Sequence, residues 1–180
     1  MSDSAFPGNY LLPKTDTLQH LTGTTLRLGF FTVKFVDFYV GQIIEAGPHR
    51  VDEASIVDFA TKFDPQPFHV DKRAAEGGRW HGLIASGWHT CSIAMRLVVD
   101  HILRDSDSCG SPGLEYVKWL APVRTGDLLF LNVEVLEVRR SRSREYGIVR
   151  WRWLLSNQEP QIVLDLIATS LFDGLNAAQS

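Results

Sequence analysis

Two hydrophobic periods divide the chain. In VDEASIVDFATKF (51–63) the apolar residues Ile56, Phe59, Ala60 and Phe63 recur at three- and four-residue spacing, which predicts a helix with Asp52 as its N-cap and acidic residues in its first turn. SGWHTCSIAMRLVVDHIL (86–103) predicts a second helix. Its polar side is only the stripe His89, Ser92, Arg96 and Asp100, while Trp88, Cys91, Ala94, Met95, Leu97, Val98, Ile102 and Leu103 cover most of the remaining circumference. A helix that apolar, ~27 Å long at the usual rise, is expected to be almost wholly enclosed. From residue 114 the period becomes two: LEYVKWL (114–120), LLFLNVEVLEV (128–138), YGIVRWRWLLS (146–156) and QIVLDLIATSLF (161–172) read as strands. In the third, Val149, Trp151 and Trp153 face one way and Arg150 and Arg152 the other, the pattern of a half-buried antiparallel strand with its tryptophans in the core. FYVGQIIE (38–45), closed by Gly47-Pro48, adds a fifth. The expected fold is α+β, a curved antiparallel sheet of about five strands wrapped around a long buried helix. VDKRAAEGGRWHG (70–82) reads as a loop marked by Gly77-Gly78, and residues 1–33, broken by Pro7, Gly8 and Pro13, read as an arm on a domain spanning 34–180.

Composition narrows the function classes. With 180 residues the chain is long enough for one ordinary domain with a core of its own. Its 18 basic and 21 acidic residues give a net charge of −3, no general attraction to nucleic acid. Cys91 and Cys109 form no CxxC pair, which fits a reducing cytoplasm better than a disulfide framework or a zinc ribbon. The N-terminus lacks the pattern of a signal peptide, and no apolar run reaches membrane-spanning length. A soluble cytoplasmic protein is expected. His81, His89 and His101 have no carboxylate or cysteine cluster at ligand spacing, so no metal is expected.

The chemistry-bearing stretch is FDPQPFHVD (63–71). Pro65 and Pro67 fix their own φ and push Asp64 and Gln66 toward extended geometry, so the chain must leave the first helix there. The result is a stiff frame holding a carboxylate, Asp64, and an imidazole, His69. General acid–base catalysis needs such groups within ~2.6–3.2 Å of the atoms they serve. A helix-ending turn with surface polar residues accounts for these nine residues equally well.

Four elements in order extend that signal: the helix leading into D-x-x-P-x-H, the later HGLIAS (81–86), the apolar helix, and APVRTGD (121–127). Together, over roughly residues 38–172, they resemble the MaoC-like acyl dehydratases, hot-dog-fold proteins that include the (R)-specific enoyl-CoA hydratases. The resemblance implies that Asp64 and His69 activate a water that adds across the double bond of a trans-2-enoyl thioester, or run the reverse dehydration. It places Ser86 beside the pair and makes His81, with Gly82, a hydrogen-bonding feature beneath the site. It implies no separate cofactor, since coenzyme A or phosphopantetheine arrives as part of the acyl-CoA or acyl-carrier substrate. Gln66 departs from the asparagine usual in the family's hydratases.

The second helix begins near Ser86-Gly87, where the first amides lack intrahelical partners and can face a thioester oxygen, with Gly87 admitting a ligand close to the backbone. Ser86 as a plain N-cap and Gly87 as a packing glycine are the competing readings. Arg139, Arg140, Arg142 and Arg144 in RRSRSRE form one basic cluster, read first as a solvated hairpin and second as a contact for substrate phosphates. A non-catalytic acyl-binding subunit and a thioesterase remain as other functions on the same fold. One sheet around one helix leaves edges and part of the helix uncovered, so a homodimer or higher homo-oligomer with the pocket near the subunit boundary is expected.

Overall fold

A computed structural model describes residues 33–142 and 145–173. Strand β1 (Ile43–Arg50) leads into helix α1 (Glu53–Phe63), two short helices α2 (Pro67–Val70) and α3 (Lys72–Gly77), and the central helix α4 (Gly87–Val98), which widens into a π-helical turn over Val99–Leu103. Four strands follow: β2 (Ser108–Trp119), β3 (Leu128–Arg140), β4 (Gly147–Ser156) and β5 (Ile162–Phe172). They form one antiparallel five-stranded sheet in the order β1-β3-β4-β5-β2. The α+β arrangement of a sheet curved over a helix is the expected one.

Register explains how the sheet builds its core. Val135 lies opposite Trp151 and Val133 opposite Trp153, while Trp151 and Trp153 face Ala168 and Leu166 of β5. All six are buried against Ile93, Ala94, Leu97 and Val98 of α4. Residues one position along point outward. There Arg152 forks onto Asp165 with bonds of 2.9 and 2.8 Å, Tyr116 donates to the same carboxylate at 2.9 Å, and Arg150 pairs with Glu115. The two-residue period thus sorts β4 into an apolar inner face and a paired cationic outer face.

The structure departs from the sequence pattern in four places. The first strand begins at Ile43 rather than Phe38, and Gly47-Pro48 sits inside it at a break in register between Ala46 and His49 instead of ending it. A bulge absorbs the proline that a regular ladder could not pair. Within the stretch read as a loop, Lys72–Gly77 is helical because the Asp71 carboxylate caps it, accepting from the Arg73 and Ala74 amides. Strand β2 starts at Ser108, six residues before the alternating stretch, with register shifts around Gly110 and Gly113 that hide its period. Most consequential, α4 is not wholly enclosed.

One sheet covers only one side of a helix. Trp88 is 58% exposed and Met95 42%, and Leu114 across from them on β2 is 47% exposed. His89, placed in the polar stripe by the pattern, is instead buried, its ring stacked on Phe59 at 4.8 Å and 13°. Burial holds its imidazole below the ordinary value, hence neutral. No helix among the described residues is long and apolar enough to cross a membrane.

Trp151 anchors the inner face, fully buried and edge-on to Phe38, Trp153 and Phe172. Replacing it by alanine removes a large aromatic from a close-packed region, so Trp151→Ala is expected to lose about 3–5 kcal/mol in urea unfolding. A loss under about 1 kcal/mol would mean that this core is not packed as described.

Candidate active site

Helix α1 is capped where the sequence predicts: the Asp52 carboxylate accepts from the Ser55 amide at 2.7 Å. It ends at Asp64, whose own amide still bonds to the Ala60 carbonyl at 2.8 Å while its backbone has turned to φ −152°, ψ 63° ahead of Pro65. Gln66 is extended (φ −79°, ψ 143°), and Pro67 opens the single turn of α2, a favourable first position because proline has no amide to leave unpaired. That turn swings His69 back toward Asp64. The two prolines therefore do what the sequence suggests, but through a helical turn rather than a wholly extended excursion.

His69 Nε2 stands 3.4 Å from Asp64 Oδ2. The imidazole is 5% exposed, and its Nδ1 lies 2.7 Å from the Ile84 carbonyl oxygen. A carbonyl only accepts, so Nδ1 carries a proton, and a ring holding that single proton presents a lone pair at Nε2. Two acceptors thus face one point, and a water or hydroxyl placed there can donate to both.

Asp64 is held from both sides. Ser86 Oγ donates to Oδ2 at 2.7 Å, and Gln66 Nε2 donates to Oδ1 at 2.7 Å. The Ser86 bond is the largest influence and holds the carboxyl below its ordinary value; partial burial opposes this, and Gln66 and the neighbouring His69 add to the lowering. The carboxylate is thereby kept ionised. Ser86 is also the N-cap of α4, accepting from the Trp88 amide at 3.2 Å, so the capping role and the site role belong to one oxygen.

The pair opens into a cavity of about 340 Å³ whose lining includes Gln66, Trp80, Gly87, Trp88, Trp119 and Val123. Gly87, at the first position of α4, has no acceptor for its amide among the described residues, as expected of a helix start. Its missing side chain has a second cause: a Cβ there would lie 2.5 Å from the Trp119 ring, whose Nε1 donates to the Gly87 carbonyl at 2.9 Å. The packing reading of Gly87 therefore holds, and the residue also lies in the cavity wall. The structure brings together Asp64, His69, Ser86 and Gly87.

It does not bring His81 or Gly82 to the cavity wall. His81 is exposed with positive φ (51°), and its amide bonds to the Gly78 carbonyl. Gly82 adopts φ +137° and lies beside Arg124, which donates to the Trp80 carbonyl at 2.7 Å. This loop fixes the Trp80 wall from behind. Arg139 and Arg140 are exposed, Arg139 pairs with Glu137 at 2.8 Å, and neither they nor Arg142 line the cavity; Arg144 lies outside the described residues, as does the arm up to residue 32. No group of three His, Cys, Asp or Glu among the described residues is arranged to hold a metal. Trp119 and the Ile84 carbonyl went unread in the sequence: the first shows only as one more apolar residue of a strand, the second as a peptide group without a signature.

An α+β sheet curved over one helix, with a carboxylate–imidazole pair hung beside a cavity at that helix's start, defines a hot-dog protein. The MaoC-like domain model matches residues 23–152, and the chain belongs to that family. It is 38% identical to the MaoC-like dehydratase of Rhodospirillum rubrum, covering 77% of this chain and 94% of that one with a TM-score of 0.71. The Bacillus subtilis (strain 168) protein YdeM, itself uncharacterized, is 34% identical over 117 residues, which is 65% of this chain and 82% of that protein. An R-hydratase from Pseudomonas aeruginosa, at 23% identity and a TM-score of 0.64 over 77% of this chain and 84% of its own, shares the fold.

Removing the Ser86 donor should move the carboxyl more than removing the Gln66 donor. In Ser86→Ala the Asp64 side chain is expected to titrate at higher pH than in the wild type, with a smaller rise in Gln66→Ala, as read by carbon NMR of labelled aspartate. A group whose folded pKa is depressed stabilises the fold above its unfolded pKa and loses that contribution as pH falls through the folded value. Ser86→Ala should therefore weaken the acid dependence of stability below the ordinary aspartate range, besides costing about 1 kcal/mol for the lost cap. An unmoved Asp64 titration would break the assigned bond.

Proposed function

We propose that this protein is an acyl-thioester hydratase/dehydratase, which adds water to a trans-2-enoyl thioester of coenzyme A or of an acyl carrier, or removes it from the 3-hydroxyacyl product. The observation that carries the reading is the convergence of His69 Nε2 and Asp64 Oδ2, both acceptors, on one point of an apolar cavity beside the start of α4. A water at that point donates one hydrogen to each. His69 Nε2 takes a proton as the water oxygen bonds to C3, the π electrons pass toward the thioester oxygen, and the imidazolium returns the proton to C2. The hydroxyl ends on C3, the hydrogen on C2, and the enzyme is restored. Asp64 orients the water and stabilises the transient imidazolium.

Negative charge on the thioester oxygen needs a donor, and the Gly87 amide, without an acceptor among the described residues and with the dipole of α4 behind it, supplies one. These protein groups complete the reaction with coenzyme A or phosphopantetheine entering only as part of the substrate. Cys91 and Cys109 are both free thiols, consistent with a cytoplasmic setting. Gln66, in place of the asparagine usual among the hydratases, bonds directly to Asp64.

Crotonyl-CoA tests the reading. Loss of enoyl absorbance without release of thiol is expected; thiol release would indicate a thioesterase, and neither signal a binding subunit. Asp64→Asn and His69→Ala are each expected to lower turnover by at least ~10²-fold, since each removes a group that handles the water. Near-full activity in either would remove that residue from the mechanism.

The exposed apolar side of α4 and the edge strand β2 are the face that a second copy would cover, placing the cavity near the boundary. Sedimentation velocity at low micromolar concentration is expected to show at least a dimer that persists from ~0.1 to ~1 M salt, because burial of apolar surface is not screened. A monomer that hydrates enoyl thioesters would show that each site is complete in one chain.

A further inference from the structure

Most hydrogen-bonding capacity in the wall of the cavity at Asp64 and His69 is already committed. His69 Nε2 and Asp64 Oδ2 only accept, and the reacting water uses both. The Thr90 hydroxyl donates to the Ser86 carbonyl at 3.3 Å, and Trp119 Nε1 donates to the Gly87 carbonyl at 2.9 Å. Gln66 differs. A carboxylate only accepts, so the bond of 2.7 Å to Asp64 Oδ1 must come from the Gln66 amide nitrogen, which fixes the orientation of that group. One N–H and the oxygen Oε1 are left over, and nothing among the described residues takes either. Of the side chains in this wall, Gln66 alone keeps both a donor and an acceptor.

We propose that Gln66 reads the substituent at C4 of the acyl group, and that the substrate carries a neutral hydrogen-bonding group there, in the simplest case a hydroxyl. The inference rests on the acyl-thioester reading above. With the thioester oxygen at the Gly87 amide and C3 at the water, a trans double bond sends C4 away from C1, and so away from the start of α4. Gln66 belongs to that side: it holds Oδ1 of Asp64, while Ser86, next to Gly87, holds Oδ2. A hydroxyl on C4 can donate to Oε1 and accept from the remaining N–H, whereas a methyl there strips water from the amide and returns nothing. A carboxylate is disfavoured, because the lining holds no lysine or arginine and Asp64 is kept ionised within it.

The test compares trans-4-hydroxy-2-butenoyl-CoA with trans-2-pentenoyl-CoA, which has a methyl in place of the hydroxyl, in wild type and in Gln66→Met. A neutral hydrogen bond is worth about 2–12-fold, and two are expected here. The hydroxy substrate should therefore lead by at least ~10-fold in kcat/KM in the wild type, and the lead should vanish in Gln66→Met, whose unbranched side chain keeps the length. Loss of the bond to Asp64 lowers turnover on both substrates and cancels in the ratio. Calorimetric binding of the saturated 4-hydroxybutanoyl-CoA and pentanoyl-CoA makes the same comparison without turnover. Equal or lower kcat/KM for the hydroxy substrate in a wild type that hydrates both, or equal or weaker binding of its saturated analogue, would overturn the proposal. So would a preference that survives in Gln66→Met, or tighter binding of glutaryl-CoA, which bears a carboxylate on C4, than of 4-hydroxybutanoyl-CoA. Failure of the hydratase reading is separately visible: neither enoyl thioester would be consumed, while the binding preference for the hydroxyl would remain.

Discussion

The hydroxyl of Ser86 is the point on which fold and site depend together. It accepts from the Trp88 amide, starting the central helix, and donates to the Asp64 carboxylate, tying the proline-stiffened segment to that start. An alanine would leave a helix amide without its cap and a carboxylate without its strongest partner. Because the serine is fully buried, water cannot take either place readily. The geometry of Asp64 is in this way set by the same hydroxyl that caps α4.

The partial cover of α4 follows from the same economy of elements. Its sheet-facing side packs against Trp151 and Trp153, while its other side, with Trp88 and Met95, lies open beside the edge strand β2. The open side begins where the acid–base pair sits. That apolar surface lies next to the cavity at Asp64 and His69, and Trp88 belongs to both.

The architecture was legible because most of the long elements carry a single dominant period. Helix α1 with its Asp52 cap, the alternation of Val149, Trp151 and Trp153, and the Asp64-to-His69 frame all follow from local rules acting over a few residues. What sequence could not supply were facts created between distant segments. The burial of His89 comes from stacking on Phe59 of another helix, and the glycine at 87 answers to a tryptophan in β2. The tautomer of His69 is set by a peptide carbonyl, a group every residue has. The full extent of β2 was masked by glycines whose irregular register interrupts the alternation.

The central claim is that Asp64 and His69 deliver one water across a carbon–carbon double bond while leaving the thioester intact. Incubating the protein with crotonyl-CoA in deuterated, heavy-oxygen water and analysing the product by mass spectrometry and NMR tests it most directly. The account predicts intact 3-hydroxybutyryl-CoA carrying one solvent oxygen at C3 and one solvent deuterium at C2. Free coenzyme A with the heavy oxygen in a carboxylate, or recovery of unlabelled crotonyl-CoA alone, would contradict it.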